Sequence, residues 1–231
     1  VQGNVAIDVP PESQVHKQVV RKRAEARDIL INPTTRLFYV EVKQPDMHEP
    51  SGDLERLISA LRTEWDLPEL EADFSILSKL QPALRKGEWK VTCAVHLGDD
   101  YVSPRVMDVW AGFYDGSIYG MAVDLGSTTI AAHLCDLQTG EVVASSGIMN
   151  PQIRFGEDLM SRVSYSMMNA GGDVEMTNAV RDGMNALFVQ IAAEAEIDPS
   201  LIMDAVFVCN PVMHHLFLGI DPFELGQAPF A

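Results

Sequence analysis

Apolar residues along this chain alternate between two spacings. A short strand-like run, Leu37 to Val42, is followed by Leu54, Leu57, Ile58, Leu61 and Trp65. These recur at i, i+3, i+4, i+7 and i+11, the period that lays side chains along one face of an α-helix, with Ser51 near its start. A second helical stretch, Asp73 to Lys86, carries Leu77, Leu80 and Leu84. Pro82, which lacks an N–H, is expected to interrupt it, and Gly87 to end it in the left-handed conformation open to glycine. Alternation returns in Trp89, Val91, Cys93, Val95 and Leu97, and again from Val106 to Trp110, predicting strands with one buried face. Residues 32–117 are thus expected to form a small middle α/β unit of order β-α-α-β-β. It carries no catalytic pattern and reads as a packing or docking domain.

The pattern then changes. Ile118 to Val123 is an apolar run suited to a strand buried on both faces, and strand-like Ile130 to Leu137 follows it. A Gln138-Thr139-Gly140 turn and a third strand from Val142 to Ile148 complete a meander. A loop at Asn150 precedes a helix from about Gly156 to Met168. A longer helix carries Met176, Val180, Met184, Leu187, Phe188, Ile191 and Ala195. A buried strand, Ala205 to Cys209, and a short helix from about Val212 to Leu218 give 118–231 the order β-β-β-α-α-β-α. The fold class is α/β in both units. Residues 1–31 are expected to be a linker: a short alternating run and a Pro10-Pro11 break lead to a helix from Ser13 to about Asp28. Lys17, Arg21, Lys22, Arg23 and Arg27 make that helix a basic spot, either a solvated face or a docking surface for an acidic partner.

Composition narrows the function classes. The chain has 231 residues, 47% of them hydrophobic, enough for a sizeable core, and no apolar run of membrane-spanning length. Seventeen Lys and Arg against 33 Asp and Glu give a net charge of −16, which argues against nucleic acid and against anionic membrane surfaces. Cys93, Cys135 and Cys209 form no CxxC; they support neither a disulfide framework nor a cluster held by this chain, and they suit a reducing cytoplasm. No lysine follows Lys90, so a Walker P-loop is excluded from the second unit. The beginning at Val1 and the loop-like end lead us to expect a piece of a longer protein.

Candidate chemistry sits at the first turn of the second unit. Asp124-Leu125-Gly126-Ser127-Thr128-Thr129 ends one strand and starts the next. A glycine without Cβ lets backbone N–H groups approach a phosphate, Ser127, Thr128 and Thr129 add donors, and Asp124 can hold a water of hydrated Mg²⁺. A hairpin can therefore cradle phosphate without lysine. Glu157 and Asp158 lie at a helix start, where carboxylates either cap the helix or activate water opposite Asp124. Arg162, one turn beyond, is expected to pair with Asp158. His214 and His215, adjacent on a helix, point about 100° apart and are expected to be structural.

The hairpin Val123 to Thr129 resembles the phosphate-1 motif of the acetate kinase, sugar kinase, heat-shock chaperone and actin superfamily, whose lobes are ribonuclease H-like. Two further stretches narrow the likeness. One is Asn150-Pro151-Gln152 with Phe155-Gly156-Glu157-Asp158 and Ser161-Arg162; the other is Asn210-Pro211-Val212-Met213-His214-His215-Leu216 running to Gly219-Ile220-Asp221-Pro222. Together they resemble the ATP-dependent reductive activators of corrinoid proteins, iron-sulfur proteins that return cobalt(II) corrinoids to cobalt(I). The resemblance covers most of the chain and implies a linker, a middle domain and the first lobe of an actin-like ATPase. It implies Mg-ATP at Asp124, Gly126, Ser127, Thr128 and Thr129, and Glu157 and Asp158 are the catalytic candidates beside it, for water activation or Mg²⁺ coordination opposite Asp124. It also implies a corrinoid protein as partner, and a 2Fe-2S cluster in a ferredoxin-type domain ahead of the linker. That ferredoxin domain and the second ATPase lobe are not in this sequence, and Cys209 stands where the family usually has glycine. A sugar-kinase-like phosphotransferase, a two-metal nuclease and a nucleotide-free binding module are the alternatives.

Overall fold

The structure is a computed structural model that describes residues 30–98 and 103–229; the expected basic helix of the linker lies outside them. Two four-stranded sheets organise the described residues. The first is built from β1 (Thr35–Glu41), β2 (Glu71–Ala72), β3 (Lys90–His96) and β4 (Arg105–Ala111) in the order β1-β3-β4-β2. The helices α1 (Asp53–Trp65) and α2 (Leu77–Lys86) cover it. Leu57 and Leu61 of α1 and Leu80 and Leu84 of α2 meet Val91, Cys93 and Val95 in one core, as helical and strand periods on facing elements require. Trp65, about half exposed, packs edge-on against Phe38 at 5.3 Å and donates its indole N–H to the Tyr39 carbonyl.

Three expectations for this unit are revised. The α2 helix runs through Pro82 without interruption, after a 3₁₀ turn, Phe74–Ile76, capped by Asp73. Gly87 ends α2 at φ −85°, so it is not left-handed; Glu88 and Trp89 take the positive φ values instead. Glycine is needed there for closeness, since a Cβ would lie 2.1 Å from the Lys90 carbonyl oxygen. Central strand β3 is buried on both faces, because Thr92 Oγ1 donates to the Gly112 carbonyl and accepts the Tyr114 N–H, folding that loop over the second face.

The second sheet has the order β7-β6-β5-β8. Here β5 (Tyr119–Leu125), β6 (Thr129–Asp136) and β7 (Val142–Met149) form the antiparallel meander, while β8 (Ile202–Cys209) lies parallel to β5. At the β6–β7 turn the Asp136 carboxylate accepts the N–H groups of Gln138 and Thr139, and Gly140 takes φ +75°. The helices are α3 (Leu159–Met168), α4 (Gly172–Glu194) and α5 (Pro211–Leu218). Met121, Val123 and Leu125 of β5 pack against Val180, Met184, Leu187 and Ile191 of α4 and Met213 of α5.

Two further expectations change. Strand β5 is not buried on both faces along its length: opposite Met121, Val123 and Leu125, Gly120 is buried but Ala122 is exposed and Asp124 half-buried. Strand β8 is an edge rather than a buried strand, with Val206 63% and Val208 68% exposed. Their apolar character reads as burial in sequence, but no described element covers that face.

Candidate functional site

Asp124 stands at the end of β5, register partner of Ala131 on β6 and Val208 on β8. The chain then turns through Gly126 to Thr128 and enters β6. The Gly126 N–H donates to the Thr129 carbonyl at 3.0 Å, closing the hairpin so tightly that a Cβ on residue 126 would sit 2.5 Å from that oxygen. The glycine is therefore required first by the hairpin's own backbone, ahead of any phosphate.

What lies beneath the hairpin was not foreseen. Asn150, almost fully buried, donates from Nδ2 to the Gly126 carbonyl at 2.8 Å and from its backbone N–H to the Thr128 carbonyl at 2.8 Å. Its Oδ1 accepts the Gln152 N–H, capping the 3₁₀ helix Pro151–Phe155. Arg162 donates from Nη2 to the Ser127 carbonyl, from Nε to the Gly156 carbonyl and from Nη1 to Gln152 Oε1. Three successive carbonyls of the hairpin are thus taken up from below. In a planar trans peptide the N–H of one residue points away from the carbonyl of the residue before it. The grips on the Gly126 and Ser127 carbonyls therefore turn the N–H groups of Ser127 and Thr128 to the opposite side. Two adjacent amides facing one way form the concavity in which anions bind, so the residues present fit a phosphate group.

The remaining predicted residues fall nearby. Gly156 is packed so closely that a Cβ would lie 2.8 Å from the Arg162 nitrogen; this brings the Glu157–Asp158 segment onto the start of α3. Both carboxylates are exposed. Asp158 caps α3 by accepting the Ser161 N–H at 2.8 Å and its hydroxyl at 3.0 Å, and those bonds hold its carboxyl below the usual carboxylate range. The expected Arg162–Asp158 pair is not a bonded one: Asp158 acts on Arg162 only electrostatically, while the guanidinium is spent on the hairpin. Arg162 is fully buried, which pulls its pKa down from the usual value. The second Asn-Pro sequence repeats the device: Asn210 Oδ1 accepts the Met213 N–H and caps α5, with Pro211 at its first turn. The Met213 sulfur lies 3.0 Å from Arg162 Nη1, joining α5 to the same network. His215 Nδ1 lies 2.8 Å from the Pro211 carbonyl oxygen, one turn back within α5. Among the described residues no group of three or more His, Cys, Asp or Glu side chains could hold a metal ion.

The buried Asn150–Gln152–Arg162 network was legible only as a motif, because side-chain donors reaching back 24 and 35 residues leave no local period. Residues 119–231 match the family model for the RACo middle region, and residues 24–116 match that for the RACo linker region. The chain belongs to the RACo family. The corrinoid activation enzyme RamQ of Eubacterium limosum is 34% identical to this RACo chain over 113 residues, 49% of this chain and 19% of that protein. A solved reductive activator for a corrinoid, iron-sulfur protein superposes with a TM-score of 0.76 at 30% identity. That match covers 89% of this RACo chain and 32% of the solved one, so the sequence spans about a third of the activator. The mixed α/β architecture with two sheets is shared with it.

Proposed function

We propose that this chain works within an ATP-dependent reductive activator that returns cobalt(II) corrinoid proteins to cobalt(I) in the cytoplasm. Residues 32–117, the small α/β unit, lie in the stretch that matches the linker region rather than forming a middle domain, and 118–231, in the stretch that matches the middle region, serve as the first, ribonuclease H-like lobe of an actin-like nucleotide-binding domain. The single observation carrying this reading is the braced hairpin, whose Ser127 and Thr128 amides face away from the interior because Asn150 and Arg162 hold the carbonyls behind them. It stands in a chain of the RACo family whose relatives are named as corrinoid activators.

In this reading Gly126, Ser127, Thr128 and Thr129 bind nucleotide phosphate, and Asp124 orients a water of the hydrated Mg²⁺. Glu157 polarises the attacking water, since Asp158 is engaged with Ser161. A 2Fe-2S cluster in a ferredoxin-type domain outside this sequence supplies the electron. The lobe changes its grip on the corrinoid partner with the nucleotide state, offsetting the unfavourable cobalt potential, and linkage makes the coupling reciprocal: the partner must alter nucleotide affinity by the same factor.

The test compares two carboxylate variants of the full-length protein. Asp124→Asn is expected to lower Mg-ATP turnover by an amount corresponding to about 2 kcal/mol or more of transition-state stabilisation. Glu55→Gln is expected to leave turnover unchanged, because Glu55 only accepts the Gly52 N–H at the start of α1. Equal, small losses contradict the assignment.

A further inference from the structure

We propose that Arg162 is a positioning residue for the phosphate chain held at the hairpin, acting through the Ser127–Thr128 peptide; this rests on the nucleotide reading above. The side chain is fully buried, yet among the described residues each atom it bonds belongs to an uncharged group. Nε reaches the Gly156 carbonyl at 3.0 Å, Nη1 reaches Gln152 Oε1 at 3.2 Å and Met213 Sδ at 3.0 Å, and Nη2 reaches the Ser127 carbonyl. The nearest acidic influence, Asp158, is engaged with Ser161. Burying a guanidinium without a bonded carboxylate is costly, and as a mere strut an apolar residue of similar volume serves as well. An anion bound at the hairpin supplies the missing counter-charge.

The route is one peptide long. Arg162 donates a charge-assisted bond into the Ser127 carbonyl. Such a bond polarises the amide and strengthens the donor on its far side, the Thr128 N–H. Asn150, uncharged, does the same more weakly for the Ser127 N–H through the Gly126 carbonyl. This explains how a unit with 14 acidic residues, three arginines and no lysine after Gly120 can attract phosphate: the charge is placed inside, behind the loop. The other two arginines are used elsewhere, Arg154 over the Phe155 ring and Arg181 on the Phe217 carbonyl.

The experiment uses Arg162→Met and Arg162→Lys in the full-length protein, with folding checked by circular dichroism and affinities for Mg-ATP and adenosine measured by calorimetry. Arg162→Met is expected to weaken Mg-ATP at least tenfold and Arg162→Lys at least threefold, on the order expected for losing one charge-assisted bond in part or whole. Adenosine, having no phosphate, should keep its affinity within about twofold, whereas a purely structural role moves both ligands together or neither. Should Arg162→Met not fold, Arg162→Lys decides. A variant-free measure accompanies them: in ¹⁵N spectra of the wild-type chain, inorganic pyrophosphate should shift the Thr128 amide and the Arg162 Nε signal together. A folded variant with wild-type Mg-ATP affinity, or a Thr128 shift with Nε unmoved, overturns the role of Arg162. A wild-type full-length protein that binds no Mg-ATP overturns the nucleotide reading itself, and is distinguishable because it appears before any substitution is made.

Discussion

Replacing Asn150 by alanine tests the bracing of the hairpin directly. The side chain makes two short bonds with little access to water, Nδ2 to the Gly126 carbonyl at 2.8 Å and Oδ1 from the Gln152 N–H at 2.9 Å, and a longer one from Nδ2 to the Met213 sulfur at 3.9 Å. Losing the cap on the 3₁₀ helix costs about 1 kcal/mol, and stranding the Gly126 carbonyl adds about 1–3 kcal/mol of unrecovered desolvation. The expected loss is therefore about 2–4 kcal/mol in equilibrium urea unfolding followed by far-ultraviolet circular dichroism. Asn150→Ser separates the two contributions, because its shorter hydroxyl still caps Gln152 but does not reach Gly126; it should retain about 1 kcal/mol relative to alanine. Trp65, Trp89 and Trp110 all lie in the first sheet unit, so tryptophan fluorescence should move less than circular dichroism. A loss below about 1 kcal/mol for alanine, or a serine variant as damaged as alanine, refutes the reasoning.

Three more outcomes are expected. Burial pushes the Cys93 thiol up to about 12, with Asp108 adding to the effect, so a thiol reagent at pH 8 should label Cys93 only after denaturation; rapid native labelling there contradicts the packing of the first core. Asp73, Asp158 and Asp198 are held below their usual value of 3.8 by the hydroxyl and N–H groups of Ser75, Ser161 and Ser200. Their stabilising contribution is complete above that value and lost as pH falls through the lower folded-state values. The urea midpoint should drop as pH falls below about 4, less steeply in an Asp73→Asn, Asp158→Asn, Asp198→Asn variant, and an unchanged slope contradicts the linkage. The 231-residue chain alone should bind Mg-ATP weakly, because only one side of the proposed site is in it; micromolar affinity by calorimetry contradicts the two-lobe reading.

Local regularities were readable from sequence and long-range ones were not. The period of Leu54 to Leu61 and that of Met176 to Ile191 define α1 and α4, since each helix buries one stripe on its own sheet. The Gln138-Thr139-Gly140 turn was equally plain. Burial of β8 was not, because apolar side chains signal a buried strand whether or not an element lies over Val206 and Val208. Pro82 misled for a related reason: packing of Leu80 and Leu84 in the core outweighs one missing helical hydrogen bond. At the site, Gly126 and the hydroxyl run marked the hairpin, but the partner of Arg162 could be read only as its neighbour Asp158. The carbonyl it holds is 35 residues away.

The most direct measurement of the central claim is cobalt(I) formation on the corrinoid protein, followed by absorbance, with full-length activator, reductant and Mg-ATP. The wild-type protein should reduce the corrinoid quickly, Asp124→Asn slowly, and the ferredoxin-type domain alone slowly or not at all. If that domain alone matched the intact protein in rate and extent without ATP, the role assigned here to the braced hairpin and its lobe would be wrong.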